Sequence, residues 1–301
     1  MELHQLRYFL AVADEGNFTK AAEKCFVSQP SLSGQILKLE DELGRKLFNR
    51  LGRHSELTAA GRFLEKRARS ILLEIENAQR ELQEGEEEVE GELRIGVTPS
   101  VGPYLLPRVI LECQKRFPSL SLVIEENLRR GLIQSLAQGN LEIVIASHPG
   151  SVPNIAAEPF LQEDLYLVAP KDHGLATKTN ISIRDFKDEP LIVLGESNTL
   201  GDKVYEFFGN NDFEPNVIAV CSQIVTVKAL VHSGLGLAIL PEMAMDNVSY
   251  YDIVFKPLIS ARMQRLLFAL THDKRFLSAA ARAFIGTLRS TVDQHKQLKR
   301  R

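Results

Sequence analysis

The sequence predicts an N-terminal winged helix-turn-helix, a long linker helix, and then an α/β domain of two lobes. Three observations carry this expectation. Residues 19 to 58 hold two short helical patterns separated by a tight apolar turn, followed by a basic loop. Apolar residues then step by four and three through a long helical stretch, from Leu64 to Leu82. From Glu92 onward, short β-rich runs alternate with helical segments, the pattern of an α/β fold with mainly parallel strands.

The first helix is predicted from Leu3, Leu6, Phe9, Leu10 and Ala13, which share one face, with Gly16-Asn17 as its stop. Thr19 is expected to cap a second helix that begins with Ala21 and Ala22. Ser28 caps a third, with Pro30 in its first turn, where a missing N–H is harmless. In that third helix Leu32, Ile36 and Leu39 form the buried stripe, leaving Gln29, Ser31, Ser33, Gln35 and Lys38 to face out. Short amides and hydroxyls near a helix N-terminus can reach base edges in the major groove of double-stranded DNA. Alone, the pattern fits a solvated helix of an all-α domain equally well; its neighbours favour the reader. Between residues 43 and 54, Arg45, Lys46, Arg50 and Arg53 occur with no acidic residue, which suits phosphate contacts. Gly52 to Leu57 reads as a wing closed at Thr58, so the DNA-binding domain is expected to span residues 1–58.

These residues resemble a known family. Leu6-Arg7-Tyr8-Phe9, Phe18-Thr19-Lys20-Ala21-Ala22, Val27-Ser28-Gln29-Pro30-Ser31-Leu32-Ser33, Leu39-Glu40-Asp41-Glu42-Leu43-Gly44, Leu47-Phe48-Asn49-Arg50 and Leu57-Thr58-Ala59-Ala60-Gly61 look like the N-terminal domain of LysR-type transcriptional regulators. The resemblance covers the whole chain, strongly through Gly61 and more loosely afterwards. It implies that Gln29, Pro30 and Ser33 touch bases and that Lys38, Arg50 and Arg53 touch the backbone; with Thr19, Ser28, Ser31 and Gln35 these are the expected DNA-binding residues. Gly34 departs from the longer polar or basic side chain of several relatives. The resemblance further implies binding to promoter DNA, dimers assembled into a homotetramer, a small-molecule effector, and RNA polymerase as a partner of an activator.

Between the head and an acidic run lies the linker helix. Leu64, Ala68, Ile71, Ile75, Ala78 and Leu82 make the heptad of a two-stranded seam. Such a helix is unstable alone in water, so a second copy is the expected partner, although a core-facing helix of one chain has the same pattern. Glu84, Glu86, Glu87, Glu88, Glu90 and Glu92 follow as a solvated hinge kept off the DNA, and residues 59–91 are expected to form the linker and dimerisation segment.

Strands are predicted at Leu93–Val97, Leu120–Ile124, Leu141–Ala146, Leu165–Ala169, Leu191–Leu194, Val217–Val220 and Leu237–Leu240. Helices are predicted at 103–116, 129–138, 200–209 and 223–233, with a last one at about 276–296 packing back on the first lobe. The chain would cross between lobes near Pro159 to Ala169 and return near Arg265 to Thr271, as in periplasmic binding proteins. That divides the effector-binding domain, 92–301, into lobe I (about 92–163 and 268–301) and lobe II (about 164–267). Ligands of open α/β sheets sit beyond the carboxyl ends of strands. The predicted effector site is therefore Thr98, Ser100, Val101, Asn127, Leu128, Ser147, His148, Asn198, Thr199, Leu200 and Gln223, with Pro99, Ser197 and Ser222 to Thr226 beside them. Hydroxyls, amides and helix N-termini suit a small carboxylate or other anion.

Bulk properties set limits. The 301 residues are 44% hydrophobic with a formal charge of −3, enough for two or three compact units and not the balance of a wholly basic nucleic-acid binder. There is no signal peptide and no membrane-length apolar run, so the cytoplasm is the expected location and no membrane contact is expected. Cys25, Cys113 and Cys221 have neither disulfide-framework nor metal spacing, and no cofactor or metal is expected. Gly96 to Gly102 lacks the third glycine of a dinucleotide loop and the lysine of a phosphate loop, and His148, His173, His232 and His272 are scattered singly. Catalysis is therefore not expected.

Within the family, Ser28 to Gln35, Leu39 to Gly44 and Pro99 to Pro107 are most similar to the peroxide-sensing OxyR subgroup. That subgroup uses a reactive cysteine in the loop after the fifth strand and a second one shortly after. Thr199 stands at the first place here, and Phe207 and Phe208 near the second. A threonine forms neither a sulfenic acid nor a disulfide, so the peroxide switch is not carried over. Cys221, at a strand end, leaves a thiol-based redox regulator as the alternative to a small-molecule sensor.

Overall fold

The computed structural model describes residues 1–51, 54–83, 89–147, 150, 152–195, 199–245, 250–259 and 263–299. They form two compact units, Met1–Gly85 and Glu86–Arg301.

The first unit is built on α1 (Leu3–Glu15), α2 (Phe18–Lys24) and α3 (Gln29–Leu43). Leu6, Phe9 and Leu10 from α1, Ala21 and Ala22 from α2, and Leu32, Ile36 and Leu39 from α3 close one core. One cap differs from expectation. Asn17, not Thr19, caps α2, its side chain accepting from the N–H groups of Thr19 and Lys20 at 2.8 and 3.1 Å. Asn17 is extended at φ −152°, which aims its side chain into the first turn, whereas Thr19 already lies inside the helix. Ser28 caps α3 as expected, accepting from the Ser31 N–H at 3.4 Å.

The wing is an antiparallel pair, β1 (Phe48–Leu51) and β2 (His54–Leu57). It begins earlier than the sequence suggested, because Leu47 and Phe48 are drawn into the core. Gly52 and Arg53 at its tip lie outside the described residues. Thr58 then caps α4 (Ala59–Gln83), its hydroxyl accepting from the Gly61 N–H at 3.0 Å. Ala68 of α4 is buried in the core of the head, so the first half of the linker helix belongs to the DNA-binding unit. Of the acidic run, Glu90 and Glu92 are exposed, while Glu84, Glu86, Glu87 and Glu88 lie outside the described residues.

The second unit contains β3 (Gly91–Val97), α5 (Gly102–Arg116), β4 (Leu120–Glu126), α6 (Arg129–Gln138), β5 (Ile143–Ala146) and β6 (Ile155–Pro170). It continues through β7 (Pro190–Leu194), α7 (Thr199–Asn210), β8 (Asn216–Cys221), α8 (Ile224–His232), β9 (Ala238–Pro241), β10 (Ile253–Pro257), β11 (Gln264–His272) and α9 (Ala279–Lys299). β3 pairs in parallel with β4 and β5, and β7 with β8. The expectation of mainly parallel strands does not extend further. β6 and β11 run in opposite directions along each other's length, and β5, β9 and β10 join them antiparallel. The reason is topological: one strand carries the chain from lobe to lobe and the other brings it back.

Each lobe has its own core. Leu93, Ile95 and Val97 of β3 pack with Leu106 and Val109 of α5 and with Phe284 and Leu288 of α9 in one. Leu191 to Leu194 of β7, Val204, Phe207 and Phe208 of α7, and Val227 and Val231 of α8 fill the other.

Candidate nucleic-acid interface and effector cleft

On α3 the first turn is open to solvent: Gln29, Pro30 and Ser31 are exposed, and so is Lys38 further along. Ser33, expected to face out, is instead buried at 9% exposure, because it falls beside Leu32 at the edge of the core stripe. Gln35 is half-buried and accepts from Gln5 Nε2 at 3.2 Å, so α1 holds its amide. Of the α3 side chains expected to face DNA, those left exposed are therefore Gln29, Pro30 and Ser31 in the N-terminal turn and Lys38. Thr19 is exposed on α2.

A buried carboxylate fastens this helix to the wing. Glu40, 5% exposed, accepts from the Leu47 N–H at 2.7 Å, the Phe48 N–H at 3.3 Å and Lys46 Nζ at 2.9 Å. Burial alone would raise its pKa, but the Lys46 ammonium and the two backbone N–H groups outweigh that and hold it below the usual carboxylate range. Lys46, expected to be free for phosphate, is thus engaged by Glu40. Arg45 remains exposed, and β1 carries Arg50.

In the second unit the ends of β3, β4 and β5 converge. The Thr98 N–H donates to the Ile145 carbonyl at 3.1 Å, and the Asn127 N–H to the Val97 carbonyl at 3.3 Å. Thr98 Oγ1 and Ser147 Oγ are both buried there without a hydrogen-bond partner among the described residues. Two such hydroxyls at adjacent strand ends are what a polar ligand would satisfy. Asn127 and Leu128 are exposed at the start of α6, and Gln223 is exposed at the start of α8.

Other expected contacts are placed differently. Val101 is fully buried in the lobe I core, and Leu200, 1% exposed, in the lobe II core, since each starts a helix whose inner face packs on its sheet. Ser100 is 3% exposed and engaged by Arg265: Nη1 donates to its hydroxyl at 3.3 Å and Nη2 to its carbonyl at 3.1 Å. Thr199 is half-buried at the start of α7, and His148, Ser197 and Asn198 lie outside the described residues.

Sequence reasoning missed the charges beneath this region. Arg265, 1% exposed, pairs with Glu163 at 2.6 Å, and Glu163 also accepts from the Met243 N–H at 2.9 Å. Lys228 on α8 is 3% exposed, donates to the Ala244 carbonyl at 3.1 Å, and sits 5.6 Å from the Tyr104 ring centre and 5.3 Å from that of Tyr251. Burial, then the neighbouring Tyr251, push the Tyr104 phenol up to about 12, so it stays neutral. The one legible signal was Arg265 and Glu163 interrupting the crossing strands. A groove of about 430 Å³ opens elsewhere, lined by Asp164, Leu165, Tyr166, Pro257, Leu258, Ile259 and Met263, and includes none of the expected effector residues.

The cysteines do not favour redox chemistry. Cys221 is half-buried and Cys113 buried, and desolvation pushes the thiols of Cys25, Cys113 and Cys221 up, away from the thiolate a sensor needs. Among the described residues no cluster of His, Cys, Asp and Glu could hold a metal ion, and no helix is long and apolar enough to cross a membrane.

Residues 3–62 match the bacterial regulatory helix-turn-helix model of the lysR family, and residues 86–293 match the LysR substrate binding domain. The DNA-binding transcriptional dual regulator OxyR of Escherichia coli is 30% identical over 296 residues, covering 98% of this chain and 97% of that protein. The HTH-type transcriptional regulator AlsR of Bacillus subtilis is 34% identical over 246 residues, 81% of this chain and 82% of its own length. Among solved structures, full-length OxyR from Pseudomonas aeruginosa superposes with a TM-score of 0.73 at 30% identity, covering 97% of this chain and 94% of that one.

Proposed function

The chain belongs to the LysR family of transcriptional regulators, with a helix-turn-helix DNA-binding domain and an effector-binding domain, and we propose how its residues divide that work. Gln29, Pro30 and Ser31 in the exposed first turn of α3 read base edges, while Lys38, Arg45 and Arg50, with Thr19, lie along the phosphates. The effector is a small polar molecule, a carboxylate or similar anion, bound where Thr98 and Ser147 have no hydrogen-bond partner among the described residues. Those two buried hydroxyls are the observation that carries the reading of the cleft. The protein is not an enzyme in this reading, works in the cytoplasm, and acts as a homodimer or homotetramer. Support for assembly comes from apolar side chains left in water: Phe63, Ile71 and Leu82 on α4, and Ile218 and Val220 on β8. A ligand that favours one arrangement of lobes over another shifts that assembly on DNA; one that binds both equally shifts nothing.

Two substitutions test this reading. Gln29→Ala should lower affinity for the DNA upstream of the chain's own gene and relax its sequence preference; unchanged preference would remove α3 as the reader. Thr98→Val together with Ser147→Ala should abolish the thermal shift produced by whichever small carboxylate stabilises the parent, with DNA binding retained. A persistent shift would place the effector elsewhere, the 430 Å³ groove beside Tyr166 being the alternative.

A further inference from the structure

The turn between α2 and α3 contains a side chain that neither the core nor the reading of α3 explains. The Phe26 N–H donates to the Glu23 carbonyl at 3.1 Å and the Val27 N–H to the Ala22 carbonyl at 3.0 Å, the paired bonds that close a helix with one left-handed residue. That residue is Phe26, at φ 56°. Glycine takes this conformation without cost, and α1, α3 and α6 do end on left-handed glycines, Gly16, Gly44 and Gly139. At α2 the chain instead carries a bulky residue in a strained backbone region. The residue is also 95% exposed, the most exposed large hydrophobic among the described residues, and stands outside the core of the head. Two unfavourable features thus coincide at one position, and neither serves the fold. Phe26 is two residues before Ser28, so its Cα lies within about 7 Å of the α3 cap, beside the exposed Gln29, Pro30 and Ser31.

We propose that Phe26 is a DNA-contacting residue, whose ring leaves water by packing against the apolar groups at the rim of the major groove. These are thymine methyl groups and deoxyribose carbons. The inference rests on α3 being the reading helix, whose surface it extends by one apolar contact. The left-handed backbone serves to throw the ring outward rather than fold it back onto α2. The contact adds affinity without charge, so it releases no counterion and leaves the salt dependence of binding unchanged.

The test uses the full-length protein and a duplex of the DNA upstream of its own gene. Phe26→Asn keeps a residue that tolerates the left-handed turn, so the thermal midpoint should hold or rise. Its affinity should fall roughly tenfold, as expected for re-exposing part of a phenyl ring. The slope of log affinity against log salt should stay that of the parent, and Phe26→Tyr should restore most of the binding. Replacing thymine by uracil in the probe separates the sources: a loss seen with the parent but not with Phe26→Asn assigns the methyl group, and no loss assigns the sugar. Unchanged affinity of Phe26→Asn overturns the proposal, as does a loss accompanied by a smaller oligomer, which would make the occupant a second copy of the chain. Gln29→Ala run in parallel keeps the two readings apart, since it can fail while the Phe26 effect persists.

Discussion

Gly34 sits on α3 with nothing within 4 Å of where a Cβ would stand. A glycine inside a helix costs stability through the freedom it has in the unfolded chain, and here no packing compensates. Gly34→Ala should therefore stabilise the head by about 0.5–1 kcal/mol in urea unfolding. If stability falls instead, the helix is held by something other than propensity. Gly61 is the opposite case: a Cβ there would lie 2.2 Å from the Leu47 carbonyl oxygen, which is backbone and cannot swing aside. Gly61→Ala should destabilise by about 1–3 kcal/mol, the range for overpacking, by pushing α4 from the loop that leads into the wing. The pair separates a glycine kept for space from one the fold does not require.

At the scale of elements, α3 and the wing act as one piece because Glu40 binds the backbone of both Leu47 and Phe48. Its carboxyl pKa is lowered in the fold, so its contribution is complete above the ordinary carboxylate value and disappears as pH falls through the lower folded value. The protection factors of the Leu47 and Phe48 amides, exchange measured relative to the unfolded chain at the same pH, should therefore fall on acidification through that window. Glu40→Gln should flatten the dependence and cost about 1–2 kcal/mol, since neutral bonds replace charge-assisted ones. Protection that ignores both pH and the substitution would show the wing is held by its own hairpin. Elements of this kind were legible where a local rule sufficed. Apolar spacing gave α1 to α3, and short β-rich runs gave β3, β4 and β5, at whose ends Thr98, Asn127 and Ser147 are proposed to meet an effector. The sequence points to Thr19 as the α2 cap and to Asn17 only as part of the α1 stop, and it is the extended backbone of Asn17 that puts its side chain on the first turn of α2 instead. β6 was seen only in its second half, because the residues from Ile155 to Gln162 are mostly exposed and carry no buried face to read, and β10 was missed because Ile253 alone of its residues is buried. Arg265, Glu163 and Lys228 were invisible as a group for a stricter reason: buried charges are tolerated only with partners, and these partners come from distant parts of the chain.

For the whole molecule, the question is how a head with so small a reading surface can choose a promoter. One exposed helical turn offers few base contacts, each worth about 1–3 kcal/mol of discrimination, so a single head has limited selectivity. Joining two heads makes the second binding event intramolecular and multiplies the selectivity of each without a new contact. On α4, Phe63, Ile71 and Leu82 are 67, 38 and 89% exposed in the single chain, a heavy apolar load for a helix in water. Ile71→Glu places a charge on that seam without touching the core of the head. In light scattering it should give a smaller species than the parent at the same concentration, and its affinity for a two-half-site duplex should drop by on the order of a hundredfold. Binding to an isolated half-site should not change, because the reading turn of α3 is untouched. If the mass is unaltered, the seam lies elsewhere, and the exposed Ile218 and Val220 of β8 become the surfaces to charge next. If the mass falls but two-site affinity does not, the heads bind independently, and an effector in the second unit would have no paired geometry through which to act on DNA.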